Sequence, residues 1–317
     1  MSKRTIADFS RFVILAAAVA VFQFGCGMRR TDAPKADSEA QYLPPKTVGK
    51  ISDDAIPESS GIAASKCQPD VFWTHNDSGY EPYLFAISLT GTKLGMWKVP
   101  NARNLDWEDI AIYKDNSGKC YLYIGEIGDN GLVRDIHTIY RVAEPKIPRS
   151  GPARSNIVGS TTDAATLNFI YADGRHDAET LLVDPQTADI YILTKQLTGP
   201  SGVYKLQSDF GKAGTAKAEK VAEVSFPAIP NGAVTGGDIS PDGRRVAICD
   251  YGAAYELRLP DSAHSFDEIW SQPIETIDAG KRKAGEAITY TPDGNALVLT
   301  SEGRGEPIIE IERKDRK

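Results

Sequence analysis

Histidine is scarce in this chain, four residues in 317, and the three cysteines other than Cys26 show no paired Cys or His spacing. That scarcity makes zinc the less favoured metal, since its sites draw closely spaced Cys and His ligands. No GxSxG element occurs and no serine pairs recognisably with a His and an Asp, so serine hydrolase chemistry is not indicated. Helical periodicity is nearly missing; only residues 261–272 (DSAHSFDEIWSQ) could hold a turn of helix. The formal net charge is −7 with no block of like charge, which argues against a nucleic-acid partner.

A long hydrophobic run is also lacking. The longest, residues 12–24, falls short of the roughly 20 apolar residues a spanning helix needs. It follows Lys3, Arg4 and Arg11 and ends at Gly25-Cys26-Gly27, so residues 1–25 read as a targeting signal. The segment resembles a bacterial lipoprotein signal, with Cys26 as the acylated site; a plain secretory signal and a retained anchor are the other readings. All three place the body outside the cytoplasm: on a membrane in the periplasm, at the cell surface, or secreted. Residues 26–45 are proline-containing and polar and read as a flexible tether, so the folded domain is expected over residues 46–317. Without the first 25 residues the net charge is −9, which fits an acidic exterior or a cation site.

What the body does contain is repetition. An acidic opening, a short apolar run, a turn and a second apolar run appear together at Ser59–Gly79, Trp107–Asn130, His176–Lys195, Gly236–Gly252 and Gly285–Gly303. Aligned on Ile62, Ile110, Leu181, Ile239 and Ile288, the units start 48, 71, 58 and 49 residues apart, a period suited to propeller blades. The spacers supply two further strands to each of the first four units, and the last has only PIIEIE. TVGKIS, residues 47–52, is the candidate for the missing strand and would close the ring. The expected fold is therefore all-β, a five-bladed β-propeller closed by an N-terminal strand. Six blades would need a unit hidden in the 71-residue interval.

In such a ring the start of each innermost strand and the end of its partner meet on one face. Two residues before the aligned positions stand Ser60, Glu108, Glu179, Gly237 and Glu286, with Glu58 and Asp238 nearby. At the partner ends stand His75 and Asp77, Glu126 and Asp129, Lys195, Asp250, and Glu302 and Arg304, with His176 beside the third opening. Carboxylates so crowded must protonate, pair or bind a cation. Calcium suits an all-oxygen donor set, and the metal candidates are Glu58, Glu108, Glu179, Asp238 and Glu286. Equally, any one of these acids could simply accept the backbone amides of the next blade. Trp107 could line the mouth, while His137 and His264 read as surface residues. Cys67 and Cys120 hold equivalent places and are either bridged or two surface thiols; Cys249 reads as a buried thiol.

The openings SSGI, WEDI, AETL and EAIT, with SPDGRRVAI as a TolB-like hairpin, resemble the exported bacterial propellers of the SdiA-regulated and phytase-like families. The resemblance covers about residues 46–313 as architecture and implies a calcium-associated centre at Glu58, Glu108, Glu179 and Glu286. The phosphate-clamping basic set of the phytases has only Arg175, Lys195 and Arg304 as scattered counterparts. The leading expectation is a monomeric, membrane-tethered propeller whose acidic face binds calcium and a small molecule or envelope component. A calcium-dependent phosphoester hydrolase is the alternative, with Glu108, Glu179 or Glu286 as base and Lys195 or Arg304 steadying charge. A glycosidase, needing two acids about 5–9.5 Å apart, is the third.

Overall fold

Apolar runs bounded by Gly, Pro, Asp and Asn turns become strands along the whole body, as their β-branched and aromatic content favours. A computed structural model describes residues 41–148 and 157–314, and over these the chain is all-β. The signal at 1–25, Cys26 and most of the expected tether lie outside the described residues. No helix among the described residues is long and apolar enough to cross a membrane.

Strand β1 (Lys46–Lys50) precedes a first unit of β2 (Ser59–Ala64), β3 (Phe72–Asn76), β4 (Tyr83–Ile87) and β5 (Lys93–Lys98). The second unit comprises β6 (Trp107–Lys114), β7 (Cys120–Glu126), β8 (His137–Ala143) and, after an interposed β9 (Ile157–Ser160), β10 (Ala165–Tyr171). The third is β11 (Ala178–Val183), β12 (Ile190–Thr194), β13 (Ser201–Leu206) and β14 (Ala216–Val224). The fourth is β15 (Val234–Ile239), β16 (Arg245–Asp250), β17 (Ala254–Arg258) and β18 (Glu275–Ile277), and the fifth β19 (Gly285–Tyr290), β20 (Ala296–Ser301) and β21 (Pro307–Glu312). The turn of helix that residues 261–272 could hold is a 3₁₀ turn, Phe266–Ser271, with Ser265 as its cap.

Two pairings went unread in the sequence. β9 leaves the second unit to pair in parallel with β5 of the first, and β10 pairs in parallel with β14, Phe169 opposite Ala216. The second pairing joins the second and third units into one eight-stranded sheet, β11-β12-β13-β14-β10-β8-β7-β6. Its terminal strands β6 and β11 lie side by side, so the sheet curls nearly closed.

The first strands of the five units form a closed circuit: β2 beside β6, β6 beside β11, β11 beside β15, β15 beside β19, and β19 beside β2. Five apolar clusters fill the seams between consecutive units. Trp73, Trp97 and Trp107 pack between the first and second, and Ile62, Phe85, Val298 and Ile308 between the fifth and first. A fully buried aliphatic or aromatic side chain contributes about 1.5–3 kcal/mol, so the last seam closes the ring as the others do. β1 completes the fifth unit, antiparallel to β21 with Lys46 opposite Glu310. Residues before Lys46 also pack on the body. Tyr42 is buried, bridges Arg313, and donates from its hydroxyl to Glu256, which also accepts from Tyr290.

Antiparallel alternation sends the connections to two faces. One face carries the starts of the innermost strands with the connections that follow each unit's second and fourth strands. The other carries the hairpin turns. There Cys67 and Cys120 are joined by a disulfide, fastening the first unit to the second, while Cys249 is a buried free thiol whose pKa burial pushes up to about 12. His137 is not a surface residue: it lies buried between Phe169 and Tyr171, and burial brings its pKa down to about 4. His264 is exposed.

Candidate functional site

Each innermost strand carries a β-bulge near its second residue. Pairing skips from Ala178–Thr194 to Thr180–Leu193, from Gly285–Ser301 to Ala287–Thr300, and from Val234–Asp250 to Gly236–Cys249. β6 and β2 are irregular at the same place, between Trp107 and Ile110 and between Ser59 and Ile62. A bulge adds one residue to one strand and re-aims its side chain, which is why bulges gather beside binding sites. Here the residues set off are Ser60, Glu108, Glu179, Thr235 and Glu286.

The fourth unit thus corrects the sequence alignment. Thr235, not Gly237, is the counterpart of the glutamates, and Asp238 sits three residues deeper along β15. A slip of two residues preserves the in-out alternation of a strand, so the hydrophobic pattern could not expose it. The two hydroxyl residues act as fasteners: Ser60 Oγ donates to the Glu108 carbonyl at 2.8 Å and Thr235 Oγ1 to the Gly285 carbonyl at 2.9 Å, each on the next unit's first strand.

The three glutamates remain for the ring's mouth. With Ser60, Asp77, Asn130, Lys195, Tyr251 and Glu302 they line a cavity of about 120 Å³. Glu179 is paired with the Lys195 ammonium. Glu108 and Glu286 are only 5% and 7% exposed, and their carboxylates accept no hydrogen bond and form no ion pair among the described residues. Asp77, Asp106 and Glu108 offer oxygens within 4.8 Å of one another, and Glu108, Asp177 and Glu179 do the same, so Glu108 belongs to both groups. Gly128 makes room: a Cβ there would overlap Glu108 Oε1 and Asp106 Oδ2.

Burial and mutual repulsion hold these acids toward protonation. Glu286 is raised to about 9 by burial and then by Glu179, with Lys195 opposing. Glu108 is raised well above the carboxylate range by burial, then Glu179, Asp77 and Asp106. Asp106 reaches about 6 through burial, Asp77 and Asp177. Glu179 also moves up, because its desolvation outweighs the Lys195 charge. Desolvation works against the Lys195 charge too, but Glu179 more than offsets it and the ammonium is retained. Asp77, Asp177 and Glu302 shift upward, chiefly from burial.

Other residues singled out in the sequence have different employment. Glu126 accepts the amides of Leu105 and Asp106 and pairs with Arg134 at 2.8 Å. Asp129 accepts the amides of Val133 and Arg134, while its own amide donates to Asp177. Asp250 accepts from Gly252, Ala253 and the Tyr255 hydroxyl. These acids shape the loops around the cavity without lining it. Asp238 accepts the amides of Ile239 and Tyr290 and the Thr289 hydroxyl, which makes it a strand fastener away from the mouth. Glu58 also lies outside the lining; its carbonyl accepts the Asp77 amide. His75 is fully buried edge-on to Trp107, its pKa brought down to about 4 by burial. His176 meets Asp173 and the Tyr204 hydroxyl to one side. Trp107 is wholly buried and donates to the Arg103 carbonyl, so it is packing and not mouth. Arg304 is exposed and bound to Asp54, and Arg175 pairs with Asp135, leaving Lys195 as the one basic side chain in the lining among the described residues.

Gly128 escaped the sequence reading, and Asp106, Tyr251 and Asp109, which flank the strand ends of this face in the sequence, were not among the named site candidates. The last is fully buried and receives the amides of Ile110, Leu181 and Gly237 at 2.8, 3.0 and 3.3 Å, tying three innermost strands together. Its place next to Glu108 was the available signal, but nothing local distinguished the acid that turns to the mouth from the acid that turns into the ring. The lining donors are almost all oxygens, a set suited to a hard cation. No protein-family model matches this chain, and no curated protein matches it.

Proposed function

We propose that the chain is an exported five-bladed β-propeller, tethered through Cys26, whose mouth binds a hard divalent cation, calcium by its chemistry. Support for five blades comes from the closed circuit of five first strands and the five seams between units. The observation that carries the function is the shared Glu108, buried and without a partner, standing in two groups of carboxylates. Oxygens bound to one Ca²⁺ at 2.3–2.6 Å can be no more than about 5 Å apart, and both groups meet that limit at 4.8 Å. Glu286 adds a second unpartnered carboxylate.

Size supports ion binding over a larger substrate. A cavity of about 120 Å³ has room for a cation with a few waters, whereas pockets for organic ligands measure about 300–1,000 Å³. A phosphoester reading would also need basic groups around the metal, and among the described residues only Lys195 lines the cavity. When bound, calcium would neutralise the carboxylates and present the waters that complete its coordination shell.

Calcium at about a hundredfold above its Kd should raise the melting temperature by about 5 °C or more, since it binds the folded state alone. The triple variant Glu108→Gln, Glu179→Gln, Glu286→Gln should fold without responding. An equal calcium response in the variant would remove the site from the glutamates.

A further inference from the structure

The loops around the acidic mouth carry an unusual share of exposed apolar surface. Eleven large hydrophobic side chains are exposed among the described residues, and eight stand in loops of the cavity face; the other three lie on strands, and none in the turns of the opposite face. Leu105 and Val133 are 61% and 70% exposed beside the second unit, Leu197 and Ile229 71% and 98% beside the third, and Tyr251 flanks the cavity itself. The Leu197 and Ile229 loops are joined by a bridge between Gln196 and Gly232. Exposed apolar side chains gathered on one face are a feature of interaction surfaces.

The charge at the centre says what this rim receives. Five carboxylates line the cavity against one ammonium, and Lys195 already lies against Glu179 with its ammonium near the face of Tyr251. An ammonium therefore fits this environment, and Glu108 and Glu286 remain nine-tenths buried without partners.

We propose that the cavity face docks a polypeptide partner that places a lysine or arginine side chain among Glu108, Glu179 and Glu286 while apolar neighbours cover the rim at Leu105, Leu197 and Ile229. The cationic group and a divalent ion use the same carboxylates, so calcium competes with docking. That clause rests on the cation-site reading; the docking surface itself does not. Charge complementarity of this kind sets orientation and partner choice, and the apolar rim supplies the area.

The test uses a short capped peptide of alternating leucine and lysine, with leucine–glutamate and serine–lysine counterparts, titrated by fluorescence anisotropy in chelator and then in calcium. Leucine–lysine should bind at least about tenfold tighter than either counterpart. Glu108→Gln should weaken binding about tenfold, and the exposed double change Leu197→Ser, Ile229→Ser about fivefold with unaltered melting. Calcium should weaken it further in the wild type and in the Leu197→Ser, Ile229→Ser variant but not in Glu108→Gln. Peptide binding with no calorimetric calcium response supports docking and sinks the calcium reading. Calcium binding with no preference for the leucine–lysine peptide overturns docking and leaves the ion site standing. Loss of peptide discrimination alongside calcium-dependent sedimentation with phosphatidylglycerol vesicles also overturns it, in favour of a membrane surface.

Discussion

At the scale of single residues, neighbours in sequence divide the labour. Glu108 turns to the mouth with no partner, while Asp109 turns into the ring and holds three amides. The difference is whether compensation comes from protein donors or must come from outside, since a buried carboxylate left without either costs several kcal/mol or takes up a proton. Gly128 belongs to the same arrangement, because only a residue without Cβ leaves space for Glu108 and Asp106. Gly128→Ala should push both carboxylates aside and weaken calcium binding by about tenfold, with little effect on melting, because the residue follows β7 and lies outside the strands. Titration calorimetry checks this; unchanged affinity would place the ion elsewhere.

At the scale of elements, the strands were legible and their irregularities were not. Alternating apolar residues and turn chemistry located the five hairpins, and TVGKIS was recognisable as the strand that completes the fifth unit. The bulge that aims each mouth residue left no trace, because one extra residue in a strand does not disturb composition. The fourth unit shows the limit: strict alternation would put Gly237 and Thr235 on one side of β15, but the bulge turns Thr235 toward Gly285 on β19 and leaves Gly237 facing Leu182 on β11, so periodicity could not choose between them. Arg304 looked like a site residue from its position after a strand end and Arg175 was a scattered basic counterpart, but the two pair with Asp54 and Asp135. Fastening of the innermost strands is the element-scale claim open to test. Asp109→Ala should destabilise by about 3 kcal/mol or more by orphaning buried amides, whereas Asp109→Asn keeps a carbonyl acceptor and should lose less. Equal losses on chemical denaturation would show that the carboxylate is not the tie.

At the scale of the whole molecule, the ring places its repulsive acids where closure desolvates them, and this ties stability to pH. Glu286 has a folded pKa of about 9 against 4.5 for the free side chain, so above the latter the folded state holds the proton the unfolded state has lost. Stability must then fall as pH rises toward the folded pKa. His75 and His137, with pKa values of about 4 against 6.5, act oppositely but only below about pH 6.5. Between about pH 6.5 and 9 the chelated protein should lose stability as pH rises, and calcium should abolish the loss, so the melting gap between calcium and chelator should widen from pH 6.5 to 8.5. A gap that stays constant would separate the ion from these acids.

The central claim is that protonated carboxylates at the mouth give up protons to a cation. Calcium titration calorimetry near pH 7 in two buffers of different ionisation enthalpy tests it directly. The account predicts saturable binding whose apparent enthalpy differs between buffers by about one released proton or more per molecule, with both heat and release missing in the triple glutamine variant. No heat, or binding with no proton released, would contradict it.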